Sequence, residues 1–348
     1  MKTRLLIFLL AIFSLYSTQN IQAQLSGDYT IGSGDFPHFS AAIDSLNTYG
    51  ISGDVNFAVQ DDTYNEQIIF PEALVYGPHS IYFYAASGQI GQVIMGLAPP
   101  SIDNYILKFE SGSNITFENI IFQNTNVASD VAGGVILFDN TIFPIVNVNF
   151  INCNFIGVPV AEPHDVAENN IVTRDNSAME PPSNGLLFQN CQFFNGNSAL
   201  SLRGYESEPD SLTSIEDCYF NNFYADAIHL EFTMNSNISG NEINGKPSAV
   251  AFQQGIYAKN CDSLKVNSNK ITLNGVNNTG IMSELGYLST TIANNMVICN
   301  AGNINYGIAH NESENIKVYY NSVSINAGMG AAFSDMLMSP LGSDIRNN

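Results

Sequence analysis

The chain is 348 residues long, 45% hydrophobic, and carries 32 acidic against 11 basic residues, for a formal net charge of −21. Such a charge repels phosphate backbones and anionic lipid surfaces, which argues against nucleic acid as a partner. The 12% content of charged residues points to a surface built from amides and hydroxyls rather than from salt-bridge networks.

In chain order the first element reads as an export signal. Lys2 and Arg4 precede an apolar run over residues 5–16, and Ile21-Gln22-Ala23 offers a cleavage point before Gln24. Cleavage near Ala23 removes Lys2 and Arg4 and takes the charge from −21 to −23. No later segment supplies the roughly 18 apolar residues of a membrane span, so no membrane insertion of the mature chain is expected. The expected localisation is secreted or cell surface.

Next comes a short amphipathic helix. Phe39, Ala42, Ile43 and Leu46 fall on one face, Pro37 stands near the start and Gly50 at the end. It precedes strands at about 55–59 and 67–70, and this cap with the first coils is expected to fill residues 24–110.

From residue 111 onward one motif repeats: two apolar residues five apart. The pairs are Phe117/Phe122, Phe150/Phe155, Phe188/Phe193, Ile215/Phe220, Ile238/Ile243, Val266/Ile271, Ile292/Val297 and Val318/Val323, separated by steps of 33, 38, 27, 23, 28, 26 and 26 residues. Side chains alternate along a strand, so residues five apart can enter one core only if the chain bends between them. Asn, Asp and Gly accept the left-handed backbone that such a bend needs. The candidate bend residues are Asn119, Asn152, Asn190, Asp217, Asn241 (beside Gly240), Asn269, Asn294 (with Asn295) and Asn321. A further strand recurs as AIHLEF, GIYAK, GIMSE and GIAHN, with Ile228, Ile256, Ile281 and Ile308 in register. Three short strands in a period of about 26 residues, with no helix between them, predict an all-β right-handed parallel β-helix in which each coil stacks on the last.

Cys153, Cys191 and Cys218 share one inward column, which predicts buried thiols. The 38-residue step contains an insertion over about 157–184, rich in Pro, Asn and carboxylates, that reads as a surface loop. Glu162, His164, Asp165, Glu168 and Asp175 lie in it, and calcium is the one cofactor they suggest, without the spacing of an EF-hand. At the C-terminus Ile345 falls one period after Val318 and the chain stops inside a bend, so downstream coils or a sorting domain of a longer protein are expected to follow.

The segment LSGDYTIGSGDFPHFSAAIDSLNTYGISGDVNFAVQDDTYNEQIIF (25–70) resembles the entry region of secreted pectin-lyase-like β-helix proteins of the bacterial cell-surface type. There a Tyr-Thr-Ile-Gly segment, a capping helix and a Gly-Thr-Tyr-x-Glu turn precede the first coils; here Asp62 replaces the glycine of that turn, ahead of Thr63, Tyr64 and Glu66. The resemblance implies a β-helix with any active groove on an outer face.

Registering the strand at Ile228 predicts two outward columns: Arg203, Glu231, Lys259, Glu284 and Asn311, beside Ser201, His229, Tyr257, Met282 and Ala309. Opposite charges across neighbouring strands are an ordinary stabiliser of an exposed sheet. The same groups form a candidate ligand face. For β-elimination of a uronate chain, Arg203 or Lys259 would neutralise the sugar carboxylate and His229 or Tyr257 would take the proton. For hydrolysis, Glu231 and Glu284 stand two coils, about 9.6 Å, apart. The catalytic Asp triads and calcium-binding Asp clusters of pectin-degrading relatives do not appear at matching spacing. The leading expectation is therefore a non-catalytic module for adhesion or polysaccharide binding, with a lyase or hydrolase, or a passive spacer, as rivals.

Overall fold

The computed structural model describes residues 24–71, 77–126, 133–159, 170–176, 180–247, 252–300, 302–326, 328–335 and 344–346. Its strands form three long parallel sheets of twelve, ten and ten strands and one two-stranded pair. The chain visits the first, second and third sheets in turn and returns to the first one coil further on, which is the parallel β-helix expected from the repeat.

The paired apolar residues stack as ladders. In the first sheet Phe57, Phe83, Phe117, Phe150 and Phe188 overlap with successive ring centroids 4.7, 5.0, 5.4 and 5.4 Å apart. In the second, Phe122, Phe155, Phe193 and Phe220 do the same at 5.5, 4.8 and 4.7 Å. Ile215, Ile238, Val266, Ile292 and Val318 continue the first ladder toward the C-terminus, all buried. The register pairs Val318 with Ile345.

The bends divide two tasks that the sequence merges. The left-handed residue is always the second after the first apolar residue: Asn119, Asn152, Asn190, Asp217, Gly240, Ser268, Asn294 and Tyr320, with φ between 53° and 70°. Asn241, Asn269 and Asn321 are therefore not the left-handed residues of their coils; Gly240, Ser268 and Tyr320, one position earlier, are. The asparagines point inward with Asn295 as a buried amide ladder. Each of Asn241, Asn269 and Asn295 donates from Nδ2 to the Oδ1 of the next member at 2.9 Å, and each of the four donates to the carbonyl of a first-sheet residue on the preceding coil. In earlier coils the same inward position holds Cys153, Cys191 and Cys218, whose thiols make the equivalent contact to Phe117, Phe150 and Phe188 carbonyls at 3.3–3.5 Å. All five cysteines are free and buried, and burial pushes the Cys153 thiol up to about 12.

Helix α1 (Phe39–Tyr49) buries Phe39, Ala42, Ile43 and Leu46, as its pattern predicts, and packs against Leu25–Ile31 and Ile68–Phe70, early strands of the first and third sheets. It has no side-chain cap of its own; the Glu66 carboxylate instead accepts the Phe39 and Ser40 backbone N–H groups at 3.0 and 2.9 Å and the Ser40 hydroxyl at 2.7 Å. Tyr64 of the same turn donates its hydroxyl to the Gln60 carbonyl at 3.1 Å.

The insertion is not loop throughout. Val172–Asp175 is a strand of the third sheet, pairing Ile136–Phe138 on one side and Leu200–Arg203 on the other. Arg174 follows the stacked Phe109 and Phe138 in the inward column, where it is fully buried. Its Nε donates to Asp210 Oδ2 at 2.6 Å, and its other nitrogens donate to Asn140 and to the Pro181 carbonyl.

Candidate functional site on the third sheet

The outer face of the third sheet is built by alternation: within each strand one residue in two points away from the core. The two columns read from the sequence are in register. Arg203 pairs with Glu231, Glu231 with Lys259, Lys259 with Glu284 and Glu284 with Asn311, while Ser201, His229, Tyr257, Met282 and Ala309 align beside them.

The side chains in the charged column are engaged with one another. Arg203 lies 3.5 Å from Asp175 and 3.3 Å from Glu231, and Lys259 lies 3.5 Å from Glu231. Glu231 is thereby held between two cations with a side chain only 11% exposed. Asp175, one of the residues considered for calcium, closes the Val172–Asp175 strand and pairs with Arg203. Glu162, His164, Asp165 and Glu168 lie outside the described residues, and among the described residues no three His, Cys, Asp or Glu side chains gather as metal ligands.

The proton-transfer groups are engaged too. The Tyr257 hydroxyl donates to Glu284 at 2.8 Å, and burial, reinforced by that hydrogen bond, pushes the phenol well above its ordinary value. A base must hold a pKa near the working pH, so Tyr257 is moved away from the task that elimination would give it. His229 packs edge-on against the Tyr257 ring at 4.7 Å, with Nδ1 3.6 Å from Asp226.

The sequence reading missed the recess of this face. A cleft of about 260 Å³ is lined by Tyr105, Lys108, Leu137, Asp139 and Thr173 among others. Its floor continues the column of Ser201 and His229, because Lys108 pairs with Leu137, Leu137 with Thr173 and Thr173 with Ser201. Lys108 contacts Asp139 at 2.7 Å and Glu110 at 3.1 Å; burial opposes its charge, but the two carboxylates more than offset that and hold the ammonium above its usual range. Burial, with Asp103 nearby, raises the Tyr105 phenol. A smaller cleft of about 150 Å³, lined by Asn176, Arg203, Gly204, Tyr205, Glu206 and Phe232, opens beside the charged column. The signal for the larger cleft was Lys108 itself, a lone charge alternating between Leu107 and Phe109, but the long and unequal early coils hid its register.

Three long parallel sheets, each coil adding one strand to each, define a parallel β-helix. The chain folds as a right-handed parallel β-helix, and the family model described as "Right handed beta helix region" matches residues 179–348, just under half of its length. No curated protein matches the chain in sequence. Among solved structures it is similar to the Dettilon tailspike protein (12% identity, TM-score 0.51, covering 82% of this chain and 58% of the tailspike). It is also similar to the enzymatically active domain of tailspike protein 2 of bacteriophage CBA120 (14%, 0.53, 86% and 43%) and to pectin methylesterase from carrot (13%, 0.50, 91% of each). The chain thus spans about half the length of the two tailspikes. At these identities the likeness is one of fold. No described helix is long and apolar enough to cross a membrane.

Proposed function

We propose that the protein is an exported β-helix module that binds a neutral polysaccharide on the outer face of its third sheet and releases it unaltered. Export is read from the basic start, apolar run and Ala23 of residues 1–23. The reading of the face is carried by one observation. Each of the three cations that the described part of the third sheet presents outward, Lys108, Arg203 and Lys259, already contacts a carboxylate of the same face. A uronate chain would have to displace those partners and approach an exported molecule of net charge −23, the −21 of the full chain less Lys2 and Arg4, which disfavours it against a neutral chain. The same pairing argues against turnover, since Glu231 and Tyr257 are committed to neighbours rather than held free toward a bound sugar.

The recess at Leu137 and Thr173 mixes apolar groups with Asp103, Asn104, Lys108, Asp139 and Thr173, a lining that suits a hydroxyl-rich sugar, at a volume just under the roughly 300–1,000 Å³ of a drug-sized pocket. Leu137→Trp fills the recess from an outward position. In calorimetric titrations against neutral and uronic oligosaccharides, neutral chains are expected to bind, with affinity little changed by salt, and Leu137→Trp to lose about tenfold or more, roughly 1.4 kcal/mol. Tighter binding of uronates would overturn the neutral-ligand reading, and release of unsaturated products that Glu231→Ala abolishes would instead establish the lyase alternative.

A further inference from the structure

The inward column of the third sheet changes character toward its C-terminal end. Leu202, Leu230 and Ala258 give way to Ser283, His310 and Asp335. His310 is fully buried, and neither ring nitrogen makes a hydrogen bond. Its Nε2 lies 3.9 Å from an Asp335 carboxylate oxygen, beyond hydrogen-bond reach, and its ring centroid lies 5.5 Å from that of Phe333.

The charges around it are few. Asn277–Glu284 on the preceding coil carries only Glu284, which faces outward and is held by Tyr257. Met296–Cys299 and Ser322–Ile325, both packed against the strand of His310, carry none. Met329–Asp335 carries only Asp335, whose side chain is 41% exposed and so screened by water. Burial holds the imidazole below its ordinary value, with Asp335 pulling weakly the other way.

We propose that His310 makes the seam between Ile304–Asn311 and Met329–Asp335 an acid-labile latch: a proton taken up there loosens the pairing of these two strands, while the coils before them stay closed. The geometry dictates the direction. The folded state prefers neutral imidazole, whereas the opened chain binds a proton near the ordinary histidine value of about 6.5. Stability from this site is therefore complete above about pH 6.5 and is lost as the pH falls below it. Release is local because each coil of a solenoid contacts only its immediate neighbours. The inference stands independently of any glycan.

Hydrogen exchange of the full chain tests it, read segment by segment at about pH 7.5 and about pH 5 and corrected for intrinsic rates. Opening over residues 304–335, relative to 117–193, is expected to rise about tenfold for each pH unit by which the folded imidazole is depressed, up to about thirtyfold at pH 5. His310→Leu should abolish the rise, and Asp335→Asn, which removes the counter-charge, should enlarge it. An unchanged ratio in the wild type, or the wild-type dependence surviving in His310→Leu, overturns the latch. Should His310→Leu fail to fold, the NMR titration of His310 in the wild type decides: a midpoint below the ordinary value supports the latch, and one at or above it refutes it.

Discussion

Arg174 occupies a place that the phenylalanine stack would otherwise continue, directly after Phe109 and Phe138. A guanidinium is tolerated there because its hydrogen bonds are supplied by Asp210, Asn140 and the Pro181 carbonyl, and Asp210 in turn accepts the Ser183 N–H at 2.6 Å. Burial pushes the Asp210 carboxyl up while Arg174 pulls it down; a 2.6 Å contact to a guanidinium together with a backbone donor favours the carboxylate. With side chains 0% and 2% exposed, the pair has no solvent to fall back on. Asp210→Ala should therefore lower unfolding free energy by about 3–5 kcal/mol, the usual consequence of stranding one buried charge. The urea midpoint at unchanged slope reads this, and a loss near that of an exposed pair would show that Arg174 escapes to water. None of this was visible in the sequence. A Pro- and Asn-rich stretch reads as loop, and nothing local says that Arg174 rather than Asp175 faces inward.

At the scale of the bend and its ladder, the sequence carried the right residues with an ambiguous assignment. Asparagine tolerates the left-handed region and also stacks as an amide, so Asn294 and Asn295, side by side, do one task each. Where only one asparagine was present the reading attached it to the bend, and Asn269 and Asn321 proved to be ladder members, leaving Ser268 and Tyr320 at φ 59° and 55°. Tyrosine in that conformation is strained by about 1–2 kcal/mol, and Tyr320 is 62% exposed, so its ring contributes little burial in return. Tyr320→Asn should stabilise the bend by about 1 kcal/mol, seen as slower exchange of the amides that flank it. Faster exchange would mean that the ring contact with Tyr319, at a centroid distance of 6.5 Å, matters more than the backbone.

Across the whole molecule, the repeat announced the solenoid because spacing of five between inward residues has few structural solutions. It did so only from Phe117 onward. The earlier coils have longer corners: Phe83 and Met95, the residues in register with Phe117 and Phe122, lie twelve positions apart, so no fixed spacing survives in sequence although the sheets are continuous. The candidate face followed the same divide: the columns from Arg203 to Glu284 were readable by register, whereas the cleft at Lys108 lies among the irregular coils. At the entry to those coils, one polar contact joins distant segments at the start of α1. Glu66, from the turn after Tyr64, caps the first turn of α1, alone among the described side chains, and it brings a negative charge to the positive end of the helix. Charge-assisted hydrogen bonds of this kind contribute about 1.5–3 kcal/mol, so Glu66→Ala should speed exchange across residues 39–49 by about tenfold or more. Because α1 packs over strands that open two of the sheets, its loosening bares strand edges able to pair with another molecule. Light scattering should accordingly show concentration-dependent association of Glu66→Ala, while Glu66→Gln, which retains one acceptor, should fall between the two. Faster exchange without association would confine Glu66 to holding the helix and leave protection of the edge to the rest of the entry segment.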